Sequence, residues 1–269
     1  MLKFISLASG SSGNCYYLDC DGYGLIIDLG IGIRTFKRHC SDYGIKLADI
    51  KAVLVTHDHT DHVKAVGVLA QSFHIPVYTS QKVHQSMMLN HYISKKVPHE
   101  LQQIIRRGSS FNLGPFHITS FGVPHDSADN NGYIIEAEEK CFVIMTDIGH
   151  FTDEMPDIVR KATHLIIESN YDEKMLVTGP YPARLQKRIS GALGHISNKE
   201  TSEFLANNLN PEVIKRVWLC HLSAENNIPR IALATVTEAL RTAGFELKLD
   251  TQFKVSVLAR RTPSIMEIL

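Results

Sequence analysis

Apolar positions in this chain fall into short runs broken by small or polar turns. Residues 2–7 and 14–20 read as strands joined by the small-residue loop Ser9-Gly10-Ser11-Ser12-Gly13. Asp21-Gly22 then turns the chain into a third strand, Leu25-Ile26-Ile27-Asp28. The pattern predicts a helix over 33–44, a strand over 51–55 and a helix from Val63 to Phe73. A short strand, Ile75-Pro76-Val77-Tyr78, precedes a helix capped by Ser80 and running to about Asn90. The polar stretch 91–103 carries no assignable pattern.

From residue 104 the chain turns mostly β. His117-Ile118-Thr119-Ser120-Phe121 alternates, and strands over 132–137 and 141–146 flank a turn at 138–140. Further strands are expected near 163–168, 214–220 and 252–259, with helices near 182–190, 198–208 and 230–243. No repeat, low-complexity tract or linker interrupts this course, so a single α/β domain over 1–269 is the simplest organisation.

Composition changes that picture little. The chain has 269 residues, 44% of them hydrophobic and 21% charged, enough to bury a large core without disulfides. Lys plus Arg and Asp plus Glu both total 28, so any binding of a polyanion must come from local patches or bound metal. The five cysteines (Cys15, Cys20, Cys40, Cys141, Cys220) form no CxxC pair, which points to reduced thiols. The N-terminus lacks the apolar length of a signal peptide, and no run approaches a membrane span. A cytoplasmic setting with no membrane partner is expected.

The chemistry concentrates after the apolar run Ala52-Val53-Leu54-Val55, in Thr56-His57-Asp58-His59-Thr60-Asp61-His62. In an extended backbone His57 and His59 point to one side and can reach one ion, and a bend lets Asp61 and His62 face a second position. Mixed imidazole and carboxylate donors suit zinc, manganese or iron better than calcium or magnesium. Candidate ligands recur where other strands end: His125 after Phe121-Gly122-Val123-Pro124, Asp147 after Cys141–Thr146, and His221 after Val217-Trp218-Leu219-Cys220. His195 stands in Gly194-His195-Ile196-Ser197, just before a predicted helix. Asp58 points away from its neighbouring histidines and is expected to support a ligand imidazole. Ser11, Ser12 and Asn14 could line the substrate side, and the basic set Arg184, Lys187 and Arg188 could hold a phosphate backbone.

The run His57-x-His59-x-Asp61-His62 matches the HxHxDH signature, and the chain resembles the metallo-β-lactamase superfamily over nearly its whole length. Within it the chain is similar to the YycJ/WalJ branch, through Ser11-Ser12-Gly13-Asn14-Cys15-Tyr16-Tyr17-Leu18, Glu168-Ser169-Asn170, Tyr181-Pro182 and Gly194-His195-Ile196-Ser197-Asn198. It departs from that branch at Tyr171, where the branch carries His. The resemblance implies a four-layer αβ/βα sandwich with two divalent ions along one edge. It assigns His57, His59 and His125 to one ion, Asp61, His62 and His221 to the other, and Asp147 to both. By likeness to RNase Z-type enzymes, His195 supported by Glu168 handles a proton near the leaving group.

The activity implied is that of a metal-dependent phosphodiesterase on nucleic acid, specifically a 5′-to-3′ DNA exonuclease. A metal-bridging hydroxide would attack phosphorus, Asp61 would orient it and His195 would protonate the leaving oxygen. The same centre could instead serve a small phosphodiester, RNA or another ester, since function follows the site rather than the fold. A non-catalytic metal-binding regulatory protein is the reading from another class, disfavoured because all seven ligand positions are filled.

Overall fold

Short apolar runs become strands and amphipathic runs become helices in a computed structural model that describes residues 1–247 and 253–269. In chain order the strands are β1 (Leu2–Ala8), β2 (Cys15–Cys20), β3 (Tyr23–Ile27), β4 (Ile50–Leu54), β5 (Val77–Thr79), β6 (Gln102–Ile104) and β7 (Ser110–Leu113). They continue with β8 (Phe116–Gly122), β9 (Asn131–Ala137), β10 (Lys140–Met145), β11 (His164–Glu168), β12 (Arg216–Cys220), β13 (Lys254–Val257) and β14 (Glu267–Ile268). The helices are α1 (Ile33–Asp42), α2 (Thr60–Val63), α3 (Val66–Phe73), α4 (Gln81–Leu89), α5 (Met155–Lys161), α6 (Glu173–Thr178), α7 (Ala183–Ile189), α8 (Asn198–Asn208) and α9 (Pro229–Thr242).

The chain divides into two compact units, the first comprising residues 1–122, 127–131 and 259–269 and the second residues 123–126 and 132–258. In the first, one sheet runs in the order β14-β1-β2-β3-β4-β5-β6. Its early strands pair antiparallel, and β3, β4, β5 and β6 follow one another in parallel. Parallel neighbours need a crossover, which α1, α3 and α4 supply. The hairpin β7–β8 also belongs to this unit. Fully buried Ile5, Leu7, Ile26, Val53, Val66 and Leu69 belong to a single apolar core.

The second unit repeats the plan. Strands β13-β12-β11-β10-β9 lie side by side in that order. The β9–β10 hairpin is antiparallel, and β10, β11, β12 and β13 are parallel. Phe142, Ile144, Leu165, Ile167 and Trp218 are buried on these strands. In both units the parallel strands end at the same kind of place, which is where open α/β sheets carry their sites. Asp28 follows β3, His57 follows β4, Asp147 follows β10, Glu168 closes β11 and His221 follows β12.

Several expectations need adjustment. Asp61 and His62 lie inside the short helix α2 rather than before the helix expected from Val63. The stretch 91–103, unassigned by pattern, ends in β6, an edge strand of polar Gln102 and Gln103 that backbone pairing to β5 alone defines. Helices α5 and α6 and the two-residue strand β14 went unread, being too short to show a period. The strand expected over 252–259 is Lys254–Val257, and its predicted first residue lies outside the described residues. Ser80 does cap α4, accepting from Val83 N at 3.4 Å. Ser197 caps α8 in a reciprocal capping box with Glu200. Among the described residues, no helix is long and apolar enough to cross a membrane, and no two of the five cysteines form a disulfide.

Candidate metal centre

In the first unit the extended stretch after β4 turns at His59 into α2, so His57, His59, Asp61 and His62 gather at one strand end. The His57 ring lies 4.7 Å from that of His59 and 4.1 Å from that of His62, centroid to centroid. Asp61 Oδ2 is 3.7 Å from His62 Nε2. This cluster is held by Asp28, which is fully buried with φ of 58°. Its carboxylate accepts from Thr56 N at 2.8 Å, Thr56 Oγ1 at 2.8 Å and His62 Nδ1 at 2.7 Å. Because the Thr56 hydroxyl donates to Asp28, its oxygen accepts from His57 Nδ1 at 3.0 Å. Both rings therefore carry their proton on Nδ1, which makes Nε2 the nitrogen that could hold a metal.

Backbone packing fixes the rest of the loop. Asn14 N donates to Asp61 O at 2.7 Å and Leu29 N to His62 O at 2.7 Å. A Cβ on Gly30 would lie 1.5 Å from the Asp61 carbonyl oxygen, so only glycine lets the β3 loop approach α2 this closely. Asn14, expected to face substrate, is fully buried and places its amide 2.9 Å from His62 Nε2, so it positions the ligand loop. Ser11 and Ser12 are exposed in the turn beside it. Asp58 holds no imidazole. It accepts from Ser86 Oγ at 2.5 Å and from Ala128 N at 3.0 Å, tying the loop to α4.

In the second unit a single carboxylate organises the site. Glu168 is fully buried, and its Oε1 accepts from Nδ1 of His195 at 2.8 Å and Nδ1 of His221 at 2.8 Å. Its Oε2 accepts from Ile148 N at 2.7 Å. Burial pushes the Glu168 carboxyl up, but the two imidazoles, His195 foremost, outweigh it and hold the group below the usual carboxylate range. The same pair acts in reverse on His195, where burial favours the neutral ring and Glu168 nevertheless raises it above the ordinary histidine value. Asp147 Oδ1 lies 3.4 Å from His221 Nδ1 and 3.7 Å from His125 Nε2. Asp147, Glu168, His195 and His221 each offer a ligand atom within 4.8 Å of the others. His125 donates from Nδ1 to Gly194 O at 3.0 Å, which again makes Nε2 the nitrogen that could hold a metal.

Asp28, Asp147 and His221 all have left-handed backbones, with φ of 58°, 56° and 53°. Asp and His tolerate this region better than most residues, and strain of this kind collects at functional sites. The structure thus brings His57, His59, Asp61 and His62 together in one unit and His125, Asp147, Glu168, His195 and His221 in the other. Arg184 is exposed on α7, whereas Arg188, one turn on, reaches Asp126 beside His125. Tyr171 is buried, and its carbonyl accepts from Asn198 N at 2.8 Å. Sequence reasoning missed Asp28, Thr56, Asp126 and Asn170. Asn170 donates to His221 O at 2.8 Å and to Glu168 Oε1 at 3.3 Å. The one readable signal was Asp28 at a strand tip, the same position that made Asp147 a candidate.

The donor set fits metal. Imidazoles turned by carboxylate, hydroxyl or carbonyl partners, with further carboxylates among them, are the ligands of zinc, manganese or iron. Two mixed sheets flanked by helices, with His and Asp at their strand ends, define a metallo-hydrolase with the metallo-β-lactamase fold. That fold is shared with YhfI from Bacillus subtilis, at TM-score 0.69 and 16% identity over 98% of this chain and 100% of that one. It is shared also with zinc-bound PqqB from Methylobacterium extorquens, at TM-score 0.71 and 15% identity over 98% and 99%.

The chain belongs to the β-lactamase superfamily, whose domain family matches residues 25–222. It is 36% identical over 253 residues to exodeoxyribonuclease WalJ of Streptococcus pneumoniae, covering 94% of this chain and 93% of that one. It is 33% identical over 244 residues to exodeoxyribonuclease YycJ of Bacillus anthracis, covering 91% of each.

Proposed function

We propose that the two ligand sets hold one pair of divalent cations and that the protein is a metal-dependent nuclease, a 5′-to-3′ exodeoxyribonuclease. The observation that carries this reading is the Glu168 carboxylate shared by His195 and His221, which ties a proton-handling group to a metal ligand. The relatives named exodeoxyribonuclease, matched over nine-tenths of their length, support DNA as the substrate. His57, His59 and His125 would hold one cation, Asp61, His62 and His221 the other, and Asp147 both. Bound there, zinc, manganese or iron supplies an acidified water and neutralises charge on a phosphoryl group.

The chain's own groups do the rest. Asp61, with its side chain 23% exposed, orients the attacking water and accepts its proton. His195 is protonated on Nδ1 toward Glu168, and Nε2 on the other side of the ring delivers a proton to the departing oxygen. Its side chain is 21% exposed, enough to meet substrate while Glu168 stays dry.

His57→Ala is expected to lower metal-dependent shortening of 5′-phosphorylated DNA by more than about 100-fold, beyond the loss typical of a ligand's supporting partner. Oligonucleotides labelled at either end and sampled over time report both rate and polarity. Equal digestion by the variant, or by chelated protein, would sink the metal-dependent mechanism, absence of digestion by wild-type protein with metal would sink the nuclease reading, and loss of label from the 3′ end first would reverse the polarity.

A further inference from the structure

We propose that Arg188 is a phosphate-binding residue that grips a second phosphate of the nucleic-acid strand, and that Asp126 is the residue that positions it. The inference rests on the nuclease reading and deepens it, by naming the group that meets the strand away from the cleaved bond.

Two tethers fix Arg188 relative to the metal ligands. Its Nε donates to Asp126 Oδ2 at 2.7 Å, and Asp126 Oδ1 lies 3.4 Å from His125 Nε2. The next residue, Ile189, accepts from His195 N at 2.7 Å through its carbonyl. A Cβ on Gly194 would stand 2.1 Å from that same oxygen, so the contact depends on glycine. Arg188 thus stands one carboxylate from a ligand imidazole and one peptide from the turn that carries His195.

Its chemistry suits the role. The side chain is 64% exposed, and the anchor takes only the Nε–H. The end-on edge of the planar guanidinium, one N–H from each terminal nitrogen, is not the edge that Asp126 takes, and it is the fork that matches two phosphate oxygens. A guanidinium held at Nε loses less rotamer freedom on binding than a lysine on a loose stem. The phosphate Arg188 meets is either the monoester at a 5′ end or a diester within the strand.

Binding separates these. Anisotropy of short single-stranded oligonucleotides, 5′-phosphorylated or 5′-hydroxyl and phosphorothioate-linked to resist cleavage, is followed against salt with protein as purified. Arg188→Ala is expected to weaken binding about tenfold and to flatten the slope of log affinity against log salt by about 0.7. Arg188→Lys should restore the slope but only part of the affinity, because it lacks the fork. Asp126→Asn, which keeps an acceptor for Nε, should bind more tightly than Asp126→Ala. Loss confined to the 5′-phosphorylated strand places the contact at the terminus, and loss on both places it within the strand. If Arg188→Ala binds both with wild-type affinity and slope, the assignment is wrong although the nuclease reading stands. If wild-type protein binds neither, the nucleic-acid reading itself falls and takes the assignment with it.

Discussion

Glu168→Ala is expected to yield a protein that melts about 10 °C lower in its metal-free form and binds metal 10–100-fold more weakly. The carboxylate answers three donors, Nδ1 of His195, Nδ1 of His221 and the Ile148 amide. Removing it leaves two buried donors and one half-buried donor unanswered, at about 1–3 kcal/mol each. Partial relaxation makes about 3–5 kcal/mol the expected total. Thermal unfolding of chelated protein isolates the stability change, and metal titration isolates the ligand effect. Glu168→Gln keeps one oxygen for the two imidazoles but sets an amide NH₂ against the Ile148 amide, so it should lose about one of the three hydrogen bonds, about 1–3 kcal/mol. Wild-type melting and metal affinity in both variants would remove Glu168 from its central role.

The second large effect falls on Asp28. Three donors share its two oxygens, and its backbone φ of 58° suits Asp or Asn far better than Ala. Asp28→Asn should keep the turn yet lose the carboxylate that holds the His62 proton on Nδ1. Metal affinity is expected to fall 10–100-fold, with a stability loss near that of one buried hydrogen bond, about 1–3 kcal/mol. Asp28→Ala adds about 1–2 kcal/mol of left-handed strain. Urea unfolding of the two variants side by side checks this difference, and equal stability would show that the turn tolerates any residue.

What could be read from the chain alone was whatever is local. HxHxDH is a spacing, and strand-end His125, Asp147 and His221 follow apolar runs that periodicity finds. The pairing of His195 with Glu168 came through family likeness, and the structure places the two 2.8 Å apart. Supporting groups were harder to see, because their role is set by neighbours distant in sequence. Asp28 acts on His62 from 34 residues away, and a lone Asp after Ile27 looks like any strand end. Asn14 looked like a loop residue open to substrate, but Gly30 brings the β3 loop so close to Asp61 that the asparagine is sealed beneath it. Asp58 turns to Ser86 and Ala128 because the extended stretch aims it away from the imidazoles. Arg184 and Arg188 occupy one helix face, and only the position of Asp126 separates them. Strand β6 was illegible for another reason: its glutamines carry no apolar alternation, and backbone hydrogen bonds alone make it a strand.

Metal stoichiometry tests the central proposal most directly. Elemental analysis of purified protein, before chelation and after reconstitution with zinc, manganese or iron, should give two ions per chain, with DNA digestion lost and regained in step. Retention of one ion or none by reconstituted protein, or full digestion after the metal has gone, would contradict it.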